Sequence, residues 1–178
     1  MIKFIAGTIN LGLAVTVTWV YAVHADGVRM EQRLKSIATE DRACLQEAVY
    51  WEARNQSTLG KVAVAWVILN RMESSRYPDS ICGVAHQGKK HADGSMKRHK
   101  CQFSYYCDGK SDVPANNVVE QRAWEDAELI SSVALIDWAK NEPSPVEDAT
   151  MYHADYADPY WTDSYTRVTS IDTHIFYN

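Results

Sequence analysis

Eight consecutive apolar residues, VAVAWVIL at positions 62–69, constrain this chain more than any other feature. Extended to 59–73, the run reads as a helix that is apolar around its whole circumference. Such a helix has no face to give to water and is the central buried one. The polar break Asn55-Gln56 precedes it, Ser57 or Thr58 supplies its N-cap, and Ser74-Ser75 with Tyr77-Pro78 beyond ends it. Only its N-terminal end can meet solvent. The segment just before that end, CLQEAVYWEA at 44–53, repeats Leu45, Ala48 and Val49 at helical spacing and leaves Glu52 where an amphipathic helix runs out. A carboxyl there is desolvated by packing on one side and faces a cleft on the other, the environment that raises its pKa toward neutrality and makes a general acid. Glu47, five residues earlier, projects at another angle and forms no obvious dyad with Glu52.

With 178 residues, 46% of them apolar, the chain supports one core and not two large domains. That core is expected over 42–178. Ahead of it, 27–41 is charged and polar and reads as a short solvated helix or a spacer. Residues 1–26 contain a stretch from Phe4 to Val23 without a charged side chain, and about 20 residues suffice to span a bilayer. Thr8, Asn10, Thr16 and Thr18, with Gly7 and Gly12, dilute its apolarity. Three readings compete: a signal peptide ending at Val23-His24-Ala25, a permanent membrane anchor, or a weakly held helix that later leaves the membrane. Each sends the rest of the chain out of the cytoplasm, to a periplasm or cell envelope. Four cysteines (Cys44, Cys82, Cys101, Cys107) then suggest two disulfides, with three pairings open. The absence of C-x-x-C argues against a zinc ribbon, and no metal or other cofactor is expected. A formal charge of −5 and a pI near 5.6 argue against a nucleic-acid binder.

Residues 80–114 hold many turn-formers and three of the cysteines, and read as a long loop region. Within it HQGKKHADGSMKRHK, 86–100, concentrates five lysines and arginines with three histidines. It is a solvated loop or a patch facing an anionic polymer or lipid, and its flexible glycines make a histidine metal site the weakest reading. A third long helix follows over 117–141, stopped by Pro143 and Pro145, and short strands are expected in the β-branched and aromatic C-terminal part. The sum is a helix-dominated α+β domain with a small late sheet.

Three segments together resemble the SleB-type cell wall hydrolase family of spore-cortex-lytic and related envelope and phage enzymes. AVYWEARNQSTLGKVAVAWVILNR (48–71) is similar to the family's E-A-R segment, glycine, apolar helix and closing L-N-R. CQFSYYCDGK (101–110) resembles its Q-F-S-aromatic motif, and TMYHADYADPYWTDSYTRVTSIDTHIFYN (150–178) its ending. The resemblance implies a lysozyme-like fold for the catalytic domain 42–178, a peptidoglycan substrate, a monomer, and Glu52 as acid and base. It implies that Gln102, Phe103, Ser104 and Tyr105 line the cleft, with Tyr152, His153, Trp161, His174 and Tyr177 near it. The chain departs from the family's pattern at Asn55-Gln56, where a small residue and an acid are common.

Cleaving the bond between muramic acid and glucosamine needs a proton on the leaving oxygen, which a raised carboxyl delivers near pH 7. Hydrolysis also needs a second carboxylate, and none stands at a readable spacing. Lytic transglycosylation avoids that need, because the sugar's own 6-hydroxyl closes the ring, and is the favoured reaction. Muramidase action is the alternative, with Asp108, Asp155 or Asp163 as partner. Two rivals come from other classes. A cysteine amidase or peptidase would use Cys44 with His153 or His174, and a peptidoglycan-binding protein would keep the cleft without turnover. A phage lysis enzyme held at the membrane until release would suit the weak N-terminal helix.

Overall fold

The computed structural model describes the backbone from Leu11 and the side chains from His24 onward. The segment 1–26, read as signal peptide, anchor or releasable helix, therefore lies largely outside the described residues. Among the described residues no helix is long and apolar enough to cross a membrane. Five helices and two small antiparallel sheets make up the described chain: α1 (Leu11–Ser36), α2 (Thr39–Ala53), α3 (Thr58–Glu73), α4 (Ile81–Ala85), β1 (Gly88–Lys90), β2 (Met96–Cys101), α5 (Val118–Ala139), β3 (Met151–Ala154), β4 (Arg167–Ile171) and β5 (His174–Tyr177). Short 3-10 turns stand at Ser104–Cys107 and Thr162–Ser164.

α3 is the centre. Every residue from Ala63 to Leu69 is buried, between α2, α4 and α5. Val64, Val67 and Ile68 are poor helix formers because branching at Cβ restricts their rotamers. Burial of each contributes about 1.5–3 kcal/mol and outweighs that preference. The expected N-cap is met by Ser57, whose side chain accepts the Gly60 N–H at 3.2 Å. α5 opens on Asn117, which accepts the Val119 and Glu120 N–H groups. It closes just before Asn141, whose left-handed φ of 58° ends the helix.

The disulfide Cys44–Cys82 ties α2 to α4, and Cys101–Cys107 closes the turn that follows β2. Neither Cys44 nor any other cysteine is free among the described residues. No thiolate remains for a cysteine nucleophile at this position.

One region differs from expectation, and a second settles between two readings. The basic stretch 86–100 is a β-hairpin rather than a loop, with Gly88 opposite Cys101 and Lys90 opposite Met96. Its side chains are nearly all exposed on both faces, so no alternation of apolar and polar residues announces the strands. Residues 27–41, expected as a short solvated helix or a spacer, are helical to Ser36, with α2 beginning at Thr39, and the helix is docked rather than wholly solvated. Met30 and Leu34 pack on the core, and the Arg33 guanidinium lies 3.9 Å from the centre of the Trp138 ring while donating to Glu73 at 2.8 Å. A long cationic side chain covering an aromatic ring accounts for docking that the charged composition hides.

The C-terminal sheet has the order β3-β5-β4 with all pairs antiparallel. Tyr152 stands opposite Phe176, and Ala154 opposite His174. The turn between β4 and β5 clamps the α2–α3 junction: Asp172 accepts the Ser57 N–H at 2.8 Å, and the Thr173 hydroxyl donates to Gln56 at 3.2 Å. A Cβ at position 60 would run into the Asp172 carboxylate, which explains the glycine there.

Candidate active site

A cleft of about 530 Å³ opens between the end of α2, the segment after β2, and β3 with β5. α2 contributes Trp51 and Glu52, and Arg54 caps its end. Because α3 starts only at Thr58 and its junction with α2 is clamped by Asp172 and Thr173, Glu52 is held at the head of the buried helix.

The Glu52 carboxyl is half-buried. Burial raises its pKa above the ordinary carboxylate value. The Tyr152 hydroxyl, which donates to Oε2 at 3.1 Å, the Ser104 backbone N–H and the Arg71 guanidinium all pull the other way without cancelling that effect. Arg71 is buried to 1% exposure and donates through Nε to the Thr150 carbonyl at 2.6 Å. Its position at the end of α3 puts a fixed positive charge behind the carboxyl.

Seven of the nine substrate-contacting residues expected from the sequence line the cleft: Gln102, Phe103, Ser104, Tyr105, Tyr152, His153 and His174. Phe103 does so from the core, where it is 2% exposed and pins the segment that presents its exposed neighbours Gln102 and Ser104. Trp161 and Tyr177 stand one layer back. Each ring centre lies within 5.5 Å of that of His153, and they support that imidazole instead of facing the cleft. The His153 Nδ1–H donates to the Ala154 carbonyl at 2.8 Å, which leaves Nε2 to accept the Tyr177 hydroxyl at 3.0 Å.

Three buried polar atoms in the cleft walls lack a protein partner: Trp51 Nε1, the Tyr105 hydroxyl and His174 Nδ1. All three are shielded from solvent, as are three further unpaired atoms outside the cleft lining, on Arg71, Ser131 and Thr150. Burial pushes the Tyr105 hydroxyl further up and the His174 imidazole down, so both are neutral hydrogen-bonding groups at pH 7. The Trp51 and Tyr105 rings lie nearly parallel, with centres 6.4 Å apart.

Of the three acids considered as a second carboxylate, Asp108 lines the cleft, whereas Asp155 and Asp163 are exposed outside it. Lys110 holds Asp108 below its ordinary value, chiefly through its N–H at 2.7 Å. Asp112 also lines the cleft and was not anticipated; burial, with Asp108 nearby, raises it. Trp51, Arg54, Lys110, Ser111, Ala154 and Tyr156 complete the lining. The Trp51 and Arg54 positions flank Glu52 in the E-A-R segment, which was the signal available for them. Arg71 was visible in the L-N-R ending, but an arginine after an apolar run reads as a solvated cap.

Residues 55–177 match the sequence profile of the family described as Cell Wall Hydrolase. The chain is 30% identical over 139 residues to the spore cortex-lytic enzyme of Halalkalibacterium halodurans, covering 78% of this chain and 34% of that protein. It is 29% identical over 140 residues to the spore cortex-lytic enzyme of Bacillus subtilis, covering 78% and 38%. The chain thus spans little more than a third of the length of these relatives. Among solved structures it resembles the catalytic domain of the Bacillus cereus SleB protein, with a TM-score of 0.53 and 27% identity over 80% of this chain and 92% of that one. It also resembles the catalytic domain of the germination-specific lytic transglycosylase SleB from Bacillus anthracis, with a TM-score of 0.54 and 27% identity over 79% and 96%.

Proposed function

The chain belongs to the cell wall hydrolase family, and from that premise we propose that it cuts peptidoglycan glycan strands between N-acetylmuramic acid and N-acetylglucosamine by lytic transglycosylation. The observation that carries the reading is the Glu52 carboxyl, kept protonatable by burial and bonded to the Tyr152 hydroxyl at 3.1 Å. Protonated Glu52 gives its proton to the glycosidic oxygen as the bond from the muramic anomeric carbon breaks. The carboxylate this creates is stabilised by the Tyr152 O–H, the Ser104 N–H and the Arg71 charge, and it faces the positive charge developing on the sugar. It then takes the proton of the muramic 6-hydroxyl, which closes on the anomeric carbon to give an anhydro end and returns Glu52 to its acid form. The exposed Gln102 and Ser104 side chains of the cleft wall supply polar groups for the sugar substituents.

Hydrolysis is the second reading, favoured by the presence of Asp108 and Asp112 in the same cleft, either of which is a candidate to activate water. Mass spectrometry of muropeptides released from purified sacculi separates the two. Anhydro-muramic ends are expected, reducing muramic ends would establish a muramidase, and freed stem peptides would overturn both. Glu52→Gln is expected to abolish release while leaving wall binding intact, an outcome that also distinguishes an enzyme from a wall-binding protein. The two disulfides suit an oxidising compartment, so we infer that the domain works outside the cytoplasm, as a monomer delivered by the N-terminal segment.

A further inference from the structure

The β1–β2 hairpin carries charge that the cleavage chemistry does not use. Residues 86–101 hold five of the 18 lysines and arginines and one of the 23 acids, a net of +4 in a chain whose remaining residues sum to −9. Lys89, Lys90, Lys97, Arg98 and Lys100 are all exposed, and among the described residues none is ion-paired with a carboxylate. The one acid, Asp93, is taken up by Ser95, accepting its N–H at 2.9 Å and its hydroxyl at 2.6 Å. Five unneutralised cations on one short ribbon create a local positive field in an acidic protein.

The ribbon is also fixed to the cleft. β2 runs directly into Gln102 and Ser104, the Gln102 N–H donates to the Gln87 carbonyl at 2.8 Å, and Cys101–Cys107 closes the intervening turn. Arg98 Nε donates to the carbonyl of Asp108, itself a cleft residue, at 2.9 Å. The base of the ribbon is therefore held in a set geometry to the cleft wall, and its cations stand outside the cleft lining. The composition of the ribbon argues against a lipid surface, since an interfacial element needs an apolar face. Its one large apolar side chain, Met96, is half-buried in the groove against His86 and Tyr106.

A glycan strand of the wall carries peptides on its muramic residues, and those peptides present free carboxylates along its length. We propose that the β1–β2 hairpin is an electrostatic subsite for these carboxylate-bearing stems, making stem-bearing glycan the preferred substrate over stripped glycan. The proposal rests on the glycan-cleavage reading above. Exposed charges contribute little each but act together over a Debye length of about 8 Å at physiological salt.

The test is the full chain with Lys89→Gln, Lys97→Gln and Lys100→Gln combined, assayed on soluble uncross-linked strands with stems and on the same strands stripped by an amidase. The wild-type KM for stripped strands is expected to exceed that for stemmed strands by about three- to tenfold, and the ratio in the variant to fall to about one. Raising salt to about 0.5 M should collapse the wild-type ratio in the same way. An unchanged ratio in the variant, or a wild type that does not discriminate, overturns the proposal. So does an effect of the variant confined to pelleting with vesicles of anionic phospholipid. Should the wild type cleave neither strand, the glycan-cleavage reading falls. Calorimetric binding of the Glu52→Gln chain to the two strands then still decides the hairpin's role: a preference for stems that the triple variant loses supports it, and equal binding overturns it.

Discussion

Replacing Tyr152 by phenylalanine removes the hydroxyl that donates to Glu52 Oε2 at 3.1 Å and keeps the ring that packs on His174 and Phe176. A hydrogen bond to a charged group is worth about 1.5–3 kcal/mol, and the length of this one puts it at the lower end. Losing ~1.5 kcal/mol of preference for the carboxylate is about a tenfold change in proton affinity. The sign follows from the opposing effects at Glu52. Burial raises the carboxyl and Tyr152 lowers it, so Tyr152→Phe moves it further up. With Glu52 as proton donor, the alkaline limb of kcat/KM moves to higher pH. The same lost bond leaves the nascent carboxylate less stabilised, so kcat on the plateau falls about tenfold. Steady-state rates on soluble glycan strands across pH, with circular dichroism to check folding, read both effects. A limb that stays in place or moves down, together with an intact plateau, would refute the role given to this bond.

Glu52→Gln should change stability as well as activity. A carboxyl whose folded pKa lies above its unfolded value binds protons more tightly when folded. Its contribution to stability is therefore present below the unfolded pKa and lost as pH rises through the folded one. The Tm of Glu52→Gln relative to wild type should rise with pH from about 4.3 upward, and calorimetry showing a constant difference would contradict the raised carboxyl. Opening Cys44–Cys82, which spans 38 residues, should cost about 4 kcal/mol, against about 2 kcal/mol for Cys101–Cys107, which spans 6. Denaturant titrations of the paired serine variants check the order, and the second pair should lose activity out of proportion to stability because it frees the Gln102–Ser104 wall. Asp108→Asn and Asp112→Asn should each cost less than about tenfold in rate, whereas a second catalytic carboxylate would be worth about 10²–10⁴.

The parts of the fold legible in the sequence were those set by neighbours a turn away. The apolar run at 62–69, the Ser57 cap and the Asn117–Asn141 boundaries of α5 all depend on local periodicity and on backbone groups within four residues. The hairpin at 88–101 was not legible, because a two-stranded ribbon exposed on both faces has no buried side to impose a period of two. The docking of α1 was hidden for a related reason, since Arg33 packs through its guanidinium plane on Trp138 and looks in sequence like one more solvated charge.

The sequence by itself determined that a carboxyl would stand where α2 runs out before a helix with no wet face, and that an aromatic supply would follow it. Only the tertiary structure decided what surrounds that carboxyl. Tyr152 lies 100 residues away in sequence, yet its hydroxyl lies 3.1 Å from Oε2. Arg71 is turned inward under the cleft, Trp161 and Tyr177 fall behind His153, and Asp108 and Asp112 enter the wall while Asp155 and Asp163 do not. Cysteine pairing was open among three choices until α2 and α4 were brought side by side. Secondary structure is chosen by contacts close along the chain, but the charge state of a buried group is chosen by whatever packs against it in space, and no local pattern encodes that distance.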